Sequence, residues 1–557
     1  MTNSDFISYL NTLHNVKAHN QSAYAEMVIS SPFYKQTMVN RPVGDYIQDE
    51  IVSHEPMIFI LTGHAGDGKT AILLQALQSW GALPEGACLS EVADVQLPCG
   101  RLCRCVKDFS ELESEKRKTV FEEILCCPEQ GRSAFLVANT GPLIATFSEI
   151  MGEVETNHLV GAIDKNTGIV EFYKGVPIEV LNVATVDNAS FVRPYLDKIL
   201  NAALWEKCKE CRKSSFCPIY TNYQLMSSEK EHVSDFIEKH YIWQQEYGNK
   251  LTVRQIVAHL VFSLTGGLNC NQVKNQKGIR FKYLCSNRFF GYKGNRPDVG
   301  AASVKAIADI MDLGYDQKKL KADEELFIKR DLSDFNILTR QILEEDASDF
   351  HDRTGWNQAV RRTYILLNTE TEKDKEKGQQ LEKDIFSPCF PRFLELRKGA
   401  KSSYQDKELV YDALKMLFLG SLDKENDIPI TMNRGENSFQ SVQLVYDTLS
   451  KTSIKLTTER IQDFNQAERC QVRIEVKGQR LATTLTLPLM NHFEEMRRGA
   501  IQTNIDPQLS QGIESLRAQI IALSQTTIDE LQLRIMTQKG WEPVSASKDN
   551  DSWILQS

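Results

Sequence analysis

The sequence predicts an α/β fold: a parallel sheet flanked by helices, then a helical subdomain carrying a cysteine cluster, then a mainly helical C-terminal region with a β-hairpin. Three observations predict it. Residues 57–62 (MIFILT) and 133–138 (SAFLVA) are continuous apolar runs, as strands buried on both faces of a parallel sheet must be. A glycine-rich loop and a strong helix former, residues 71–77 (AILLQAL), follow the first run without a break. From about residue 236 to 418, apolar positions recur at helical spacing, as at Val360, Tyr364 and Leu367.

A chain of 557 residues exceeds one hydrophobic core, and typical domain sizes suggest roughly three to four domains or subdomains. The expected divisions are an N-terminal helical segment over 1–40, the sheet-containing core over 41–200, a helical lid with the cysteines over 201–290, a helical domain over 291–420 and a mixed α/β region over 421–557. The charge balance, 65 − 74 = −9, excludes a global positive field for nucleic acid while leaving a local basic groove open. The longest apolar stretches, such as 57–61 and 256–264, fall far short of the ~20 residues that span a bilayer, so no membrane association is expected. The first residues, MTNSD, carry no basic and apolar signal pattern, which points to the cytoplasm.

Residues 63–70 read Gly63-His64-Ala65-Gly66-Asp67-Gly68-Lys69-Thr70 and satisfy G-x-x-x-x-G-K-[ST] between a strand and a helix. This is the signature of a P-loop NTPase. Glycines let main-chain N–H groups turn inward around phosphates, and the following helix N-terminus adds partial positive charge. The expected ligand is ATP or a related nucleoside triphosphate, held by residues 63–70 and the amide of Ala71, with Lys69 on the β- and γ-phosphates. Thr70 would offer its hydroxyl to Mg²⁺.

Hydrolysis needs more than this loop. Residues 101–107 (RLCRCVK) suggest a strand broken by Arg104 and Lys107 and ending at Asp108, the candidate acid for Mg²⁺; Glu111 is the candidate water-activating base. The strand over 133–138 ends in Asn139, a candidate γ-phosphate sensor. A further strand over 177–184 follows an insertion at 164–175 that reads as a hairpin, for a sheet of four or five strands. Thr252 is a candidate N-cap for the helix beginning there, which places Arg254 in its first turn. A cation there opposes the helix dipole, and reaching toward the nucleotide would offset that cost. Arg280 and Arg288 are weaker candidates for an arginine acting on a neighbouring copy.

Cys208, Cys211 and Cys217 form C-x₂-C-x₅-C, a spacing suited to tetrahedral zinc, with Cys285 the first choice for fourth ligand and Cys270 the second. An iron–sulfur cluster would accept the same residues. The other thiols, Cys88, Cys99, Cys389 and Cys470 among them, read as small buried hydrophobes of a reducing compartment. Residues 370–383 are dense in charge and read as a solvated linker or frayed helix end. Residues 469–487 read as a β-hairpin and 490–518 as helix.

Together, Gly66-Asp67-Gly68-Lys69-Thr70, the Lys107-Asp108-Phe109-Ser110-Glu111 block, Ala138-Asn139-Thr140-Gly141 and the Cys208, Cys211, Cys217-Pro218 cluster resemble the DptF type of ATPase from bacterial DNA phosphorothioation-dependent restriction systems. The resemblance covers the first half of the chain, up to Arg288. It implies an AAA+/STAND-like ATPase subunit of an antiviral defence complex that works with partner proteins, with Asn139 as sensor 1 and Arg254 as sensor 2. Direct DNA contact and oligomerisation stay open, and no nuclease motif is present. Two other readings compete: a nucleotide-dependent switch with little turnover, favoured by the broken strand before Asp108, and a nucleotide or nucleic-acid kinase.

Overall fold

A computed structural model describes residues 3–14, 31–82, 90–165, 169–172, 175–273, 279–346, 353–368, 375–419, 427–431, 441–461, 469–500, 505–524, 530–538, 540–549 and 552–556. They divide into two compact units, residues 1–385 and residues 386–557, apart from a short assignment of 463–467 to the first. Among the described residues no helix is long and apolar enough to cross a membrane.

The first unit is built on a six-stranded sheet comprising β1 (Ile58–Thr62), β2 (Val92–Gln96), β3 (Leu102–Val106), β4 (Ser133–Val137), β5 (Ile169–Phe172) and β6 (Val176–Asn182), in the order β2-β3-β4-β1-β6-β5. The four inner strands are parallel, with Ile58 of β1 level with Ala134 of β4 and Ile178 of β6. The edge strands β2 and β5 run antiparallel to their neighbours.

Strand β1 is buried along its whole length because helices cover both faces. On one face Phe59 and Leu61 pack with Ile72, Leu73 and Leu77 of the helix Lys69–Ser79 and with Val43 and Ile47 of the helix Pro42–Ser53. On the other, Ile58 and Ile60 join Phe109, Phe121, Leu143 and Phe147. Phe59 and Phe135 meet edge to face at 5.7 Å between centroids.

The sheet has six strands where the sequence suggests four or five. The missed strand is β2, whose short VADVQ pattern mixes polar with apolar residues because an edge strand is only half covered. Its position also explains the charge that interrupts β3. Asp94 of β2 stands opposite Arg104 of β3 and accepts from its Nε at 2.9 Å, so the arginine is a cross-strand partner and not a break. The guanidinium holds the Asp94 carboxyl below its ordinary range. The hairpin expected over 164–175 begins later: the helix Glu153–Lys165 runs into that stretch, and β5 pairs directly with β6.

Beyond the sheet the described residues of the first unit are mainly helical to Ile385, interrupted by the two-residue strands β7 (Tyr292–Lys293) and β8 (Arg296–Pro297). The charged segment over 370–383 is largely ordered helix, Lys375–Ile385, and residues 369–374 lie outside the described residues.

The second unit contains an antiparallel five-stranded sheet and a three-stranded one. The strands are β9 (Asp427–Thr431), β10 (Val442–Ser450), β11 (Ile454–Ile461), β12 (Arg469–Val476), β13 (Gln479–Thr484), β14 (Glu530–Thr537), β15 (Gly540–Asp549) and β16 (Ser552–Gln556). The expected hairpin is β12–β13. Its two-residue turn, Lys477-Gly478, has φ of 52° and 78°, the pair of positive values a type I′ turn requires. The helix expected over 490–518 is two helices, Leu487–Arg497 and Pro507–Ala522. Gly499, at φ 78°, follows the first, and Asp506 caps the second by accepting from the amides of Gln508 and Leu509.

Candidate functional site

The loops that follow β1, β3, β4 and β6 lie at the carboxyl ends of four adjacent parallel strands, the usual place for a ligand in an open α/β sheet. The loop after β1 carries residues 63–70. Gly66 and Gly68 have φ of 94° and 82°, conformations that L side chains rarely adopt. The Asp67 carboxylate is 2% exposed and accepts from the amide of His64 at 2.9 Å, which clamps the turn; His64 and Ala65 remain exposed at its tip. The helix starts at Lys69, and its first intrahelical bond runs from Ile72 N–H to Gly68 C=O at 3.0 Å.

Lys69 is buried, at 7% exposure, and its ammonium donates to the carbonyls of Gly63 and His64 at 3.2 and 2.8 Å and to Asn139 Oδ1 at 2.9 Å. Three donors meet three acceptors. Burial pulls the Lys69 pKa down to about 8, against the opposing pull of Asp67 and Asp108, and Arg254 lowers it further. Thr70 Oγ1 donates to Asp108 Oδ1 at 3.3 Å. Burial raises the Asp108 pKa, opposed by Lys107, the Thr70 hydroxyl, Lys69 and Arg254.

Asn139 caps no helix with its side chain; that side chain is turned to Lys69, and the Asn139 main-chain N–H donates to Ser110 Oγ at 2.7 Å. Arg254 sits in the first turn of the helix Val253–Thr265, where Thr252 and Gln255 form a reciprocal capping box. Its amide donates to Gly66 C=O at 3.0 Å, and a Cβ placed on Gly66 would lie 3.3 Å from Arg254 Cβ. Lys69, Thr70, Asp108, Asn139 and Arg254, proposed separately from the sequence, thus converge on one loop. Glu111 is exposed on the short 3₁₀ turn Phe109–Glu111 beyond Asp108.

Local patterns gave no sign of Arg41 or Asn188, which also meet here. Arg41 Nη1 donates to Asp67 C=O at 2.8 Å and Nη2 to Asn188 Oδ1 at 3.2 Å. Beside the loop lies a mostly apolar cavity of about 160 Å³, lined by Tyr9, Tyr34, Phe191, Tyr195, Val253 and Val257 and, from the phosphate-loop helix, by Gly68, Ala71, Ile72 and Gln75. Four of those six wall residues come from the first forty residues and from the stretch just after β6, so only folding assembles the wall.

The remaining candidates stand elsewhere. Arg288 is consumed inside the fold: it lies over the Phe262 ring at 4.6 Å and donates to Tyr292 C=O and Asp298. Arg280 donates to Ser215 C=O at 3.5 Å, on the cysteine-bearing turn. Cys208, Cys211 and Cys217 occupy successive turns, and burial first, then the nearby Cys217, Cys270 and Cys211, push the Cys208 thiol up to about 12. Cys285, the first choice for fourth ligand, is fully buried, its amide tied to Asn222 Oδ1; burial lifts its thiol to about 12, and Cys270 is the thiol near the cluster. Among the described residues no three His, Cys, Asp or Glu side chains are arranged to hold a metal ion. Of the thiols read as buried, Cys389 is, Cys99 is exposed in the turn before β3, Cys470 on β12 is half-buried, and Cys88 lies outside the described residues.

Searches against protein-family profiles, curated proteins and solved structures find nothing that matches this chain.

Proposed function

We propose that the chain binds a nucleoside triphosphate, ATP, with magnesium at residues 63–70 and hydrolyses it. One observation carries this reading: a glycine loop between a buried strand and a helix brings its own lysine and threonine together with Asp108, Asn139 and Arg254 from three other segments. An ammonium held by two carbonyls and an amide oxygen can exchange those neutral acceptors for phosphate oxygens, which are stronger partners. Magnesium bound with the nucleotide would supply charge neutralisation at the phosphates, with Thr70 and Asp108 as its protein oxygens. Asn139, freed from Lys69, would orient water or the γ-phosphate, and Arg254 would stabilise charge that develops as the terminal bond breaks. The cavity between Tyr9, Tyr34, Phe191 and Tyr195 has the apolar, aromatic lining that suits a flat base.

The wider role rests on the sequence resemblance alone: an ATPase subunit of a DNA phosphorothioation-dependent restriction system, coupling turnover to conformational change or assembly with partner proteins. Phosphate release by the full chain, measured with and without DNA, tests both levels. Turnover that is abolished by Lys69→Ala supports the ATPase, and stimulation by DNA supports the defence role. Wild-type turnover in Lys69→Ala refutes the site, and binding without turnover leaves the switch reading in its place.

A further inference from the structure

Arg41 precedes the sheet by seventeen positions and belongs to no motif, yet its guanidinium is 5% exposed and lies beneath the phosphate loop. One nitrogen donates to Asp67 C=O at 2.8 Å and another to Asn188 Oδ1 at 3.2 Å. Asn188 is itself 2% exposed and turns its amide nitrogen the other way, to Leu251 C=O at 2.9 Å. The next residue, Thr252, caps the helix whose Arg254 amide donates to Gly66 C=O at 3.0 Å, and Gly66 adjoins Asp67. The connections close into a ring.

The ring has little slack. Arg41 is fixed at its own backbone by Gln75, which accepts from the Arg41 amide at 2.9 Å and donates to its carbonyl at 3.0 Å. That glutamine packs directly over Gly44, where a Cβ would lie 2.6 Å from its side chain. Lys250 fastens the same stretch by donating to the carbonyls of Ala184 and Val186. Four segments far apart in sequence are thereby held together at the mouth of the site: the strap before the sheet, the phosphate loop, the loop after β6 and the start of the helix Val253–Thr265. A planar guanidinium presents its donors in a fixed fork, so the directions to its two acceptors are set together, whereas a lysine is a point charge on a flexible stem and does not fix them.

We propose that Arg41, acting through Asn188, is a positioning residue that holds the first turn of the helix Val253–Thr265 against the phosphate loop and so aims Arg254 at the reacting phosphate. The catalytic half of this statement rests on the ATPase reading; the mechanical half does not. The ring explains why a cation buried this deeply is bonded to a main-chain oxygen of the loop and to a neutral amide. It makes the orientation of Arg254 depend on a residue outside the phosphate-loop motif.

Two measurements on the full chain test it. Without nucleotide, amide hydrogen exchange over residues 252–256 should accelerate about tenfold or more in Arg41→Lys and in Asn188→Ala, with β1 unchanged. Unchanged exchange at 252–256 in both variants overturns the ring whatever the ligand is, and Asn188→Ala decides the matter should Arg41→Lys not fold. With ATP, Asn188→Ala should lower turnover about tenfold at nearly constant nucleotide affinity, and Asn188→Ala/Arg254→Ala should be no slower than Arg254→Ala alone, because both remove one interaction. Multiplied losses in the double variant overturn the positioning role. A wild-type chain that does not bind ATP defeats the proposed function instead, and the exchange result still stands.

Discussion

Lys69 and Asn139 are seventy residues apart and joined by a hydrogen bond of 2.9 Å between Nζ and Oδ1, so the loop after β1 and the end of β4 share one polar contact. The lysine is held in reserve by neutral acceptors, and the asparagine is the only side chain among its three acceptors. The first expectation follows from that pair. Lys69→Ala should weaken ATP binding by about 100-fold, the value of charge-assisted bonds lost in a buried site. Asn139→Ala should leave binding within about threefold and lower turnover by about 10- to 100-fold, because its bond to Lys69 is replaced on nucleotide binding and its catalytic contact is not. Titration calorimetry and phosphate release separate the two.

The Lys69 pKa of about 8 makes nucleotide affinity depend on pH. Below that value the ammonium is charged and ready for phosphate; above it the free protein must take up a proton to bind. Bound polyphosphate raises the lysine pKa, so affinity should fall as pH rises from 7 to 9, approaching about tenfold per pH unit above 8. A flat profile over that range contradicts the burial argument. Without ligand the sign reverses: the folded chain releases this proton before the unfolded chain does, so the first unit gains stability as pH rises through about 8 toward the ordinary lysine value.

Gly66→Ala tests the close approach of the phosphate loop and the helix Val253–Thr265. The φ of 94° and the distances of 3.1 Å to Thr252 Oγ1 and 3.3 Å to Arg254 Cβ leave an added methyl no unstrained place. A destabilisation of about 1–3 kcal/mol is expected, with loss of nucleotide binding, read by chemical denaturation and by titration.

Acid should weaken the first unit through its buried histidines. His259 accepts from the Tyr241 hydroxyl at 2.8 Å and pairs its other nitrogen with Phe289 C=O at 2.9 Å, the arrangement of a neutral ring protonated on Nε2. Burial takes its pKa to about 4, and burial also takes His240 well below its ordinary value. Between pH 6.5 and 4 the unfolded chain therefore binds protons that the folded chain refuses, and stability must fall as pH falls. Thermal unfolding at pH 7, 6 and 5 should show a descending midpoint for this unit; His259→Gln should flatten the slope.

Phe59→Ala should cost about 3–5 kcal/mol, since the ring is fully buried between two helices and Phe135 and the sheet around it cannot collapse into the space.

Much of the site was legible because its chemistry is local. The phosphate loop is eight consecutive residues, and Asp108 and Asn139 each stand two positions past the end of an inner strand, β3 or β4. Arg254 could be found because a cation in a helix's first turn needs a reason. What stayed hidden depends on contacts across long sequence separations: Arg41 with Asn188 spans 147 positions, and Asn188 reaches Leu251 across 63 more. Edge strands were hidden for another reason. Half-exposed β2 and most strands of the second unit carry mixed polar patterns, and periodicity fades where only one face is covered. The fourth-cysteine choice failed to anticipate that Cys285 opens a short buried helix, whereas Cys270 occupies a half-exposed turn.

The aromatic wall beside the phosphate loop has a consequence for how the molecule may be cut. Tyr9 and Tyr34 come from before the Pro42 helix, and Tyr9 is fastened to Thr37 by a 2.7 Å hydroxyl contact. A fragment begun at β1, where the recognisable motif starts, would keep the glycines and the lysine and lose one side of the groove together with the Arg41 tie. The smallest autonomous piece therefore reaches back to the first helix, Asn3–Leu13, and the motif boundary is not a boundary of the folded unit.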